Sequence, residues 1–312
     1  NVLPMTLEIN EQQIELPLIA WQSSQQQHQL SARRIPIHDL APFVPLLLPD
    51  TRGVIEQQIN AGTQAFVDAK VMRDAEGHWD WLVHSDSIQS DGDEQLPSFS
   101  PIVVTVAGHN DERGYWSAQA DEFQLSSSRL SDAAIWQQQA FSLAGNWNHD
   151  DAGWQFELGD GQWQLGDLAL QLQGRLKQVG DDTPSIALLA TAEQSFAVAT
   201  ARDLLPLAMG EGVRNYLNES LVAGDIRGLE VLWRGPLQHF PDDDMAGVFN
   251  ARVDFAGLDY QFQADWPMLQ DTPLRLDFYQ HGLFMFSDAG QLMDVTVDAV
   301  SAKIPDLTDG GR

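Results

Sequence analysis

The amino-acid sequence predicts a mainly β protein: a long, curled antiparallel β-sheet that forms a groove, or half-pipe, in an elongated repeat architecture with two short α-helices. Three observations predict this fold class. Apolar and polar residues alternate with a period of two over most of the chain. Only two segments stand out with helical spacing of apolar residues, and these two segments recur at a constant separation within an internal repeat.

The strand predictions rest on stretches in which every second residue is apolar. Such stretches occupy residues 154–158, 168–176, 249–255, 260–266 and 274–278. This alternation is typical of antiparallel strands that have one dry face and one wet face. Gly- and Asp-rich turn signals separate the stretches, so the sequence predicts a long meander.

The two predicted helices span residues 50–61 and 209–223. Each carries an apolar stripe at helical spacing, and each is followed by a candidate C-cap, Gly62 or Gly224. The stripes and the strands that follow them match at an offset of 162 residues. We therefore predict an internal repeat in which a short helix precedes a β-meander.

This repeat divides the chain into three parts. Residues 1–37 form the end of a preceding β repeat, residues 38–201 form repeat unit one, and residues 202–312 form repeat unit two. About twenty strands make a sheet that must curl, split or close. Two short helices cannot cover the apolar face of such a sheet. The sheet therefore either folds on itself as a sandwich or presents its dry face to something that is not protein.

Composition and motifs narrow the function. The 17 Lys and Arg against 45 Asp and Glu give a formal net charge of −28, which argues against a nucleic-acid partner. The chain has no cysteine, so disulfides, thiolate metal sites and a cysteine nucleophile are excluded. We find no nucleophile elbow, P-loop, HExxH zinc helix or EF-hand loop. We expect no enzyme activity, no metal site and no cofactor.

Several segments resemble the AsmA-like YhdP family of Gram-negative bacteria. The resemblance covers residues 184–306, and the repeat extends it more weakly over residues 1–183. The segments that carry it are Ala201–Pro206, Tyr216-Leu217, Leu232–Leu237, Phe240-Pro241, Gly247–Phe249, Leu258–Tyr260, Trp266-Pro267, Leu274–Phe278 and Val300–Ile304.

The resemblance implies a segment of a periplasmic bridge that shields phospholipid acyl chains in a hydrophobic β-groove between the inner and outer membranes. It implies tethering to the inner membrane through a transmembrane helix that this fragment lacks. It also implies phospholipid acyl chains as ligands, and inner- and outer-membrane components as partners at the ends of the full-length protein. No catalytic residues are implied.

The implied functional surface is the dry face of the strands. The alternative function is a β-sandwich module for carbohydrate binding or adhesion, in which some of the ten tryptophans stack on sugars. Trp154, Trp163 and Trp266 are in phase with aliphatic neighbours, which favours the dry face. The residues predicted to line the lipid groove are Trp154, Phe156, Leu170, Leu172, Phe249, Val253, Phe255, Tyr260, Phe262, Leu276 and Phe278.

Overall fold

The chain divides into two compact units, which we describe separately. Unit 1 comprises Asn1–Ser127 and Ala140–Phe156, and unit 2 comprises Ser128–Gln139 and Glu157–Arg312. The computed structural model describes residues 2–9, 12–24, 26–40, 62–92, 97–127, 134–137, 139–180, 183–205, 211–236, 247–292 and 295–306.

Unit 1 is an antiparallel sheet with one very short helix, α1 (Ile37–Leu40). Its strands are β1 (Val2–Ile9), β2 (Gln12–Ser23), β3 (Gln27–Pro36), β4 (Thr63–Gln64), β5 (Phe66–Asp74), β6 (Trp79–Ser90), β7 (Ser98–His109), β8 (Arg113–Phe123), β9 (Leu125–Ser126), most of β10 (Gln139–Asp150) and the start of β11 (Gly153–Leu165).

The long strands of unit 1 pair in the order β1–β2–β3–β5–β6–β7–β8–β10. Tight turns join β2 to β3, β5 to β6, β7 to β8 and β10 to β11. The strand register places these turns at the same edge of the sheet, which we call the hairpin edge of unit 1. Helix α1 follows the opposite end of β3.

Unit 2 begins with a 3₁₀ turn at Ala134–Gln137 and continues from the remainder of β11. It contains helices α2 (Val198–Asp203) and α3 (Glu211–Ser220). Its further strands are β12 (Leu168–Val179), β13 (Ser185–Ala192), β14 (Phe196–Ala197), β15 (Leu221–Pro236), β16 (Val248–Tyr260), β17 (Leu269–Tyr279), β18 (Gly282–Ser287), β19 (Gly290–Leu292), β20 (Val295–Val297) and β21 (Val300–Ile304).

The main strands of unit 2 pair antiparallel in the order β12–β13–β15–β16–β17–β18–β21. Both helices lie between β13 and β15 in the chain, whereas a tight turn joins β17 to β18 at the other ends of the strands. The predicted fold class, mainly β with antiparallel strands and few short helices, is confirmed. None of the helices in the described ranges is long and apolar enough to cross a membrane.

Two element predictions need correction. The helix predicted over 209–223 ends at Ser220, and Leu221 already begins β15. The strand predicted over 260–266 is wrong, because β16 ends at Tyr260 and residues 261–268 form a loop before β17. The predicted helix over 50–61 lies outside the described residues. The repeat boundaries stay a prediction, although β3 with β5 and β13 with β15 show the same strand–connection–strand arrangement.

Candidate functional site

One face of the unit 2 sheet is apolar across seven strands. We call it the inner face of unit 2. The register aligns its residues in rows that run across the strands, and two neighbouring rows contain no charged side chain. The first row is Leu172, Ala190, Val231, Ala251, Phe278, Leu283 and Ile304, and the second is Ala192, Leu229, Val253, Leu276, Met285 and Ala302.

Ion pairs on the opposite, outer face help to fix this register. Arg252 lies directly opposite Asp277, with Nε 2.9 Å from Oδ1, and Arg275 lies opposite Asp254 at 2.8 Å. The hydrogen bond and charge of Asp254 raise the pKa of Arg275. A one-residue slip of β17 against β16 would turn these charges toward the apolar side. The ion pairs on the outer face therefore disfavour a register shifted by one residue.

The inner face has a sealed half beside the two helices, which we call the helix half. Phe255, Leu258, Tyr260 and Leu269 are at most 2% exposed there. They belong to one cluster with Leu217 of α3 and Val198 of α2, which are equally buried. This half is a closed protein core, because both helices cover it.

Polar contacts also hold α3 on the sheet. The hydroxyl oxygens of Tyr216 on α3 and Tyr260 on β16 lie 2.7 Å apart, and the Gln261 N–H donates to the Ser220 carbonyl at 2.9 Å. Burial, followed by the hydrogen bond to Tyr216, raises the pKa of Tyr260 above its ordinary value. The neutral phenol shares a hydrogen bond with the hydroxyl of Tyr216.

Helix α2 is held by a carboxylate from the β11–β12 turn. The Ala197 N–H donates to Asp167 Oδ2 at 2.9 Å, and the Thr200 hydroxyl donates to the other carboxylate oxygen. Partial burial acts to raise the pKa of Asp167, but these hydrogen bonds outweigh it and lower the pKa. Asp167 thus ties the start of α2 to the β11–β12 turn.

The other half of the inner face, the hairpin half, is only partly buried. Leu188, Val231, Trp233, Phe249 and Phe278 are half-buried there. Leu188, Trp233 and Phe249 lie side by side across β13, β15 and β16. This half therefore keeps partly exposed apolar surface outside the core beneath the helices.

The predicted groove residues divide among three environments. Phe255, Tyr260, Leu276 and Leu172 are buried in the sheet, and the first three belong to the core cluster. The partly buried members in unit 2 are Leu170, Val253, Phe249, Phe278 and Phe262, the last of which lies in the β16–β17 loop rather than on a strand.

The remaining two, Trp154 and Phe156, lie at the start of β11 in unit 1. The Trp154 ring stacks on His149 with centroids 4.3 Å apart and lies 6.1 Å from the Phe156 ring. Trp154 lies at the hairpin edge of unit 1, and Phe156 lies two residues farther along β11. The grouping of all eleven residues into one lipid-contacting surface stays a prediction.

Sequence reasoning missed Leu258, a core residue beyond a β-bulge in β16. The pairing of β16 with β17 shifts between Phe255 and Leu258, so the buried positions change from odd to even numbers. Gly224 of β15 makes the close approach that this shift requires, because a Cβ there would overlap the Gly257 carbonyl. The available signal was Gly257 itself, since a glycine inside a strand pattern often marks a bulge.

The inner face of unit 2 is an apolar surface. The buried polar side chains of unit 2, Thr272, Ser287, Ser220 and Gln139, carry no formal charge. Among the described residues, no group of three or more His, Asp or Glu side chains is placed to hold a metal ion. Such a surface is suited to apolar contacts.

Fold and site together define the class: an antiparallel β-sheet protein with an extended apolar face. The chain belongs to the YhdP family, since the YhdP protein family model matches residues 2–311. It is also 27% identical over 172 residues to the intermembrane phospholipid transporter YhdP of Escherichia coli (strain K12). This match covers 49% of the present chain. The matched region is 14% of the length of that relative. No solved structure matches the chain.

Proposed function

We propose that this chain is a non-enzymatic segment of a periplasmic bridge that shields phospholipid acyl chains during transport between the inner and outer membranes. The Escherichia coli relative is an intermembrane phospholipid transporter, and the family relationship supports a role in phospholipid transport for this chain. In the full-length protein, a transmembrane helix would tether the bridge to the inner membrane, and membrane components would meet its two ends.

The observation that carries the proposal is the uninterrupted apolar row across β12, β13, β15, β16, β17, β18 and β21. Rows of this kind run perpendicular to the strands, with neighbouring strands about 4.8 Å apart. The half-buried members of the row, Val231, Phe278 and Ile304, leave apolar surface that an acyl chain can contact as it crosses the strands.

The energetics favour such a path. Each CH₂ group exposed to water costs about 0.8 kcal/mol, so a 16-carbon chain costs on the order of 12 kcal/mol. The hairpin half can remove much of this cost because its apolar side chains are only half-buried by protein. The helix half contributes rigidity instead, since its side chains already contact one another.

Two substitutions on β15 test the proposal in the full-length protein. Val231 lies on the inner face, whereas its neighbour Leu232 is 39% exposed on the outer face. We expect Val231→Asp to abolish lipid transport and Leu232→Asp to leave it near the parental level, because only the first places a charge on the acyl-chain path. Thermal melting of both variants controls for unfolding. Equal transport by two folded variants would contradict the proposal.

A further inference from the structure

The hairpin edge of unit 1 concentrates tryptophan and histidine. It consists of four short segments, residues 21–28, 73–81, 107–116 and 147–154. These segments contain six of the ten tryptophans and four of the eight histidines of the chain. The strand register brings them together: His28 lies opposite Arg73, Arg73 opposite Trp79, Asp80 opposite His109, and the His149 N–H donates to the Glu112 carbonyl at 2.7 Å.

Two of these tryptophans lie over a glycine pair. Gly108 and Gly114 are opposite each other on β7 and β8, and a Cβ on either would overlap the ring of Trp147. The rings of Trp81 and Trp147 stack there with centroids 5.7 Å apart. Their indole N–H groups donate to the carbonyls of Asn110 and Ala107 at 2.7 and 3.1 Å. Both indoles are thus fixed across the sheet surface.

The chemical character of the side chains changes in a fixed order along the strands toward the hairpin edge. We call the side of the unit 1 sheet that carries Trp81 the inner face of unit 1. On β5 its residues run from buried Val67 through Val71 to exposed Arg73, and β6 adds Val83 and Trp81 in the corresponding rows. The inner face therefore passes from aliphatic to aromatic to cationic side chains.

Close to the edge, arginine and histidine side chains contact aromatic rings. The Arg73 guanidinium lies 5.2 Å from the centre of the Trp79 ring. His28 stacks on Trp21 with centroids 5.8 Å apart, much as His149 stacks on Trp154. Arg and His offer N–H donors to a phosphate, and indoles favour the boundary between apolar and aqueous surroundings.

Beyond these groups lie the carboxylates of the turns. Two further carboxylates, Asp74 and Asp80, lie on the opposite face of the strand ends and are hydrogen-bonded to His78 at 3.1 Å and to His109 at 2.9 Å. The segments of the edge contain two arginines and seven acidic residues. The acidic residues are Asp74, Glu76, Asp80, Asp111, Glu112, Asp150 and Asp151. The outermost layer of the edge is therefore acidic.

We propose that this edge binds the headgroups of zwitterionic phospholipids that carry an ammonium group beyond the phosphate, as in phosphatidylethanolamine. The inference rests on the proposed function and adds the headgroup class and the edge. In the lipid, the acyl chain is followed by the phosphate and then by the ammonium group. In the protein, the aliphatic row is followed by Arg73 with its histidines and then by the carboxylates of the turns. A headgroup ending in an uncharged polyol would leave the carboxylates without a cation, so anionic lipids bind less well.

Site-specific photo-crosslinking in the full-length protein tests this inference in cells. A photoreactive residue replaces Trp21, which is 56% exposed at the hairpin edge, and in a control it replaces Phe66, which is 46% exposed at the opposite end of β5. Mass spectrometry identifies the captured headgroups. We expect lipid at position 21 and not at 66, with ethanolamine headgroups enriched over their share of the membrane.

Two sets of variants test the roles of the charges. Arg73→Gln should lower capture at position 21 by about tenfold, the effect of losing a charge-assisted hydrogen bond. Arg33→Gln, an equal charge change at an exposed position near the other end of β3, should not lower it. Glu76→Gln combined with Asp111→Asn and Glu112→Gln should shift capture toward anionic headgroups. Each variant is melted to confirm folding.

The contrary outcomes are distinct from those of the proposed function. Headgroups captured at position 21 in membrane proportions, with no shift in the triple variant, would overturn the selectivity. Capture at Phe66 in place of Trp21 would overturn the choice of edge. Lipid at neither position, and none at the inner-face residue Val231, would instead reject the proposed function itself.

Discussion

At the scale of single residues, Phe255 and Phe278 look equivalent in the sequence but differ in the structure. Both follow the same alternation, and each lies on the inner face of unit 2. Phe255 is 1% exposed in the core beneath the helices, whereas Phe278 is half-buried in the hairpin half. On the proposed function, their difference in burial gives Phe255 a structural role and Phe278 a role in contact with acyl chains.

Replacement of each phenylalanine by Asp should therefore have different effects. Phe255→Asp places an unpaired charge in a sealed core and should lower the free energy of unfolding by about 3 kcal/mol or more. Phe278→Asp should cost less stability and should abolish lipid binding by the hairpin half. Urea denaturation and lipid capture measured on both variants check this, and equal destabilisation would indicate that the whole inner face is a closed core.

Because Tyr260 is buried, we expect the free energy of unfolding to fall at alkaline pH. Its pKa is raised by burial, so its contribution to stability is complete below the ordinary tyrosine pKa of about 10 and falls as the pH rises above it. Tyr260→Phe should cost about 1 kcal/mol at pH 8 through the lost hydrogen bond to Tyr216, and it should reduce the decline above pH 10. Tyr279→Phe, at an exposed position of β17, serves as the control and should decline like the parent.

At the scale of elements, the β-bulges where β15 meets β16 depend on glycine. Gly224 has a φ of +133°, and a Cβ at this position would overlap the Gly257 carbonyl. Gly224→Ala should therefore lower the free energy of unfolding by at least about 2 kcal/mol. Gly212→Ala provides the matched control, because nothing lies near a Cβ at this exposed position of α3. It should instead raise stability by about 0.5–1 kcal/mol. Urea denaturation compares the two variants, and similar effects would show that the bulge tolerates a side chain.

The strands were the most predictable elements because their alternation is local. Val253 and Leu276 can be assigned to one face from the sequence alone, and the structure places them opposite each other on β16 and β17. The fold class follows from many such stretches. Likewise the apolar row that forms the candidate site follows from alternation, once the pairing of the strands is known.

Features that depend on contacts between distant residues could not be predicted in this way. The helical stripe of α3 includes Leu221 in the sequence, but pairing with Tyr260 makes Leu221 the first residue of β15. Phe262 and Trp266 continue the alternation of β16, yet Tyr260 pairs with Leu269 and the residues between them form a loop. Tertiary pairing overrides a local period in both cases.

At the scale of the whole molecule, the net charge of −28 complements the apolar inner faces. Charged residues such as Arg252 and Asp277 give the sheet a polar outer face opposite its apolar inner face. The same excess of carboxylates repels anionic lipid surfaces. On the proposed function, the protein would thus accept acyl chains on one face without adsorbing flat onto a membrane through the other.

Acyl chains, on this proposal, travel along the inner face and do not contact the outer face. The most direct measurement is a photo-crosslinking scan of consecutive residues 229–234 of β15 in the full-length protein, using lipids in living cells. Leu229, Val231 and Trp233 lie in the inner-face rows, and the residues between them belong to the other face. We expect lipid capture with a period of two, at 229, 231 and 233 only. Capture at every position, or at none of the six while the protein remains folded, would contradict the proposal.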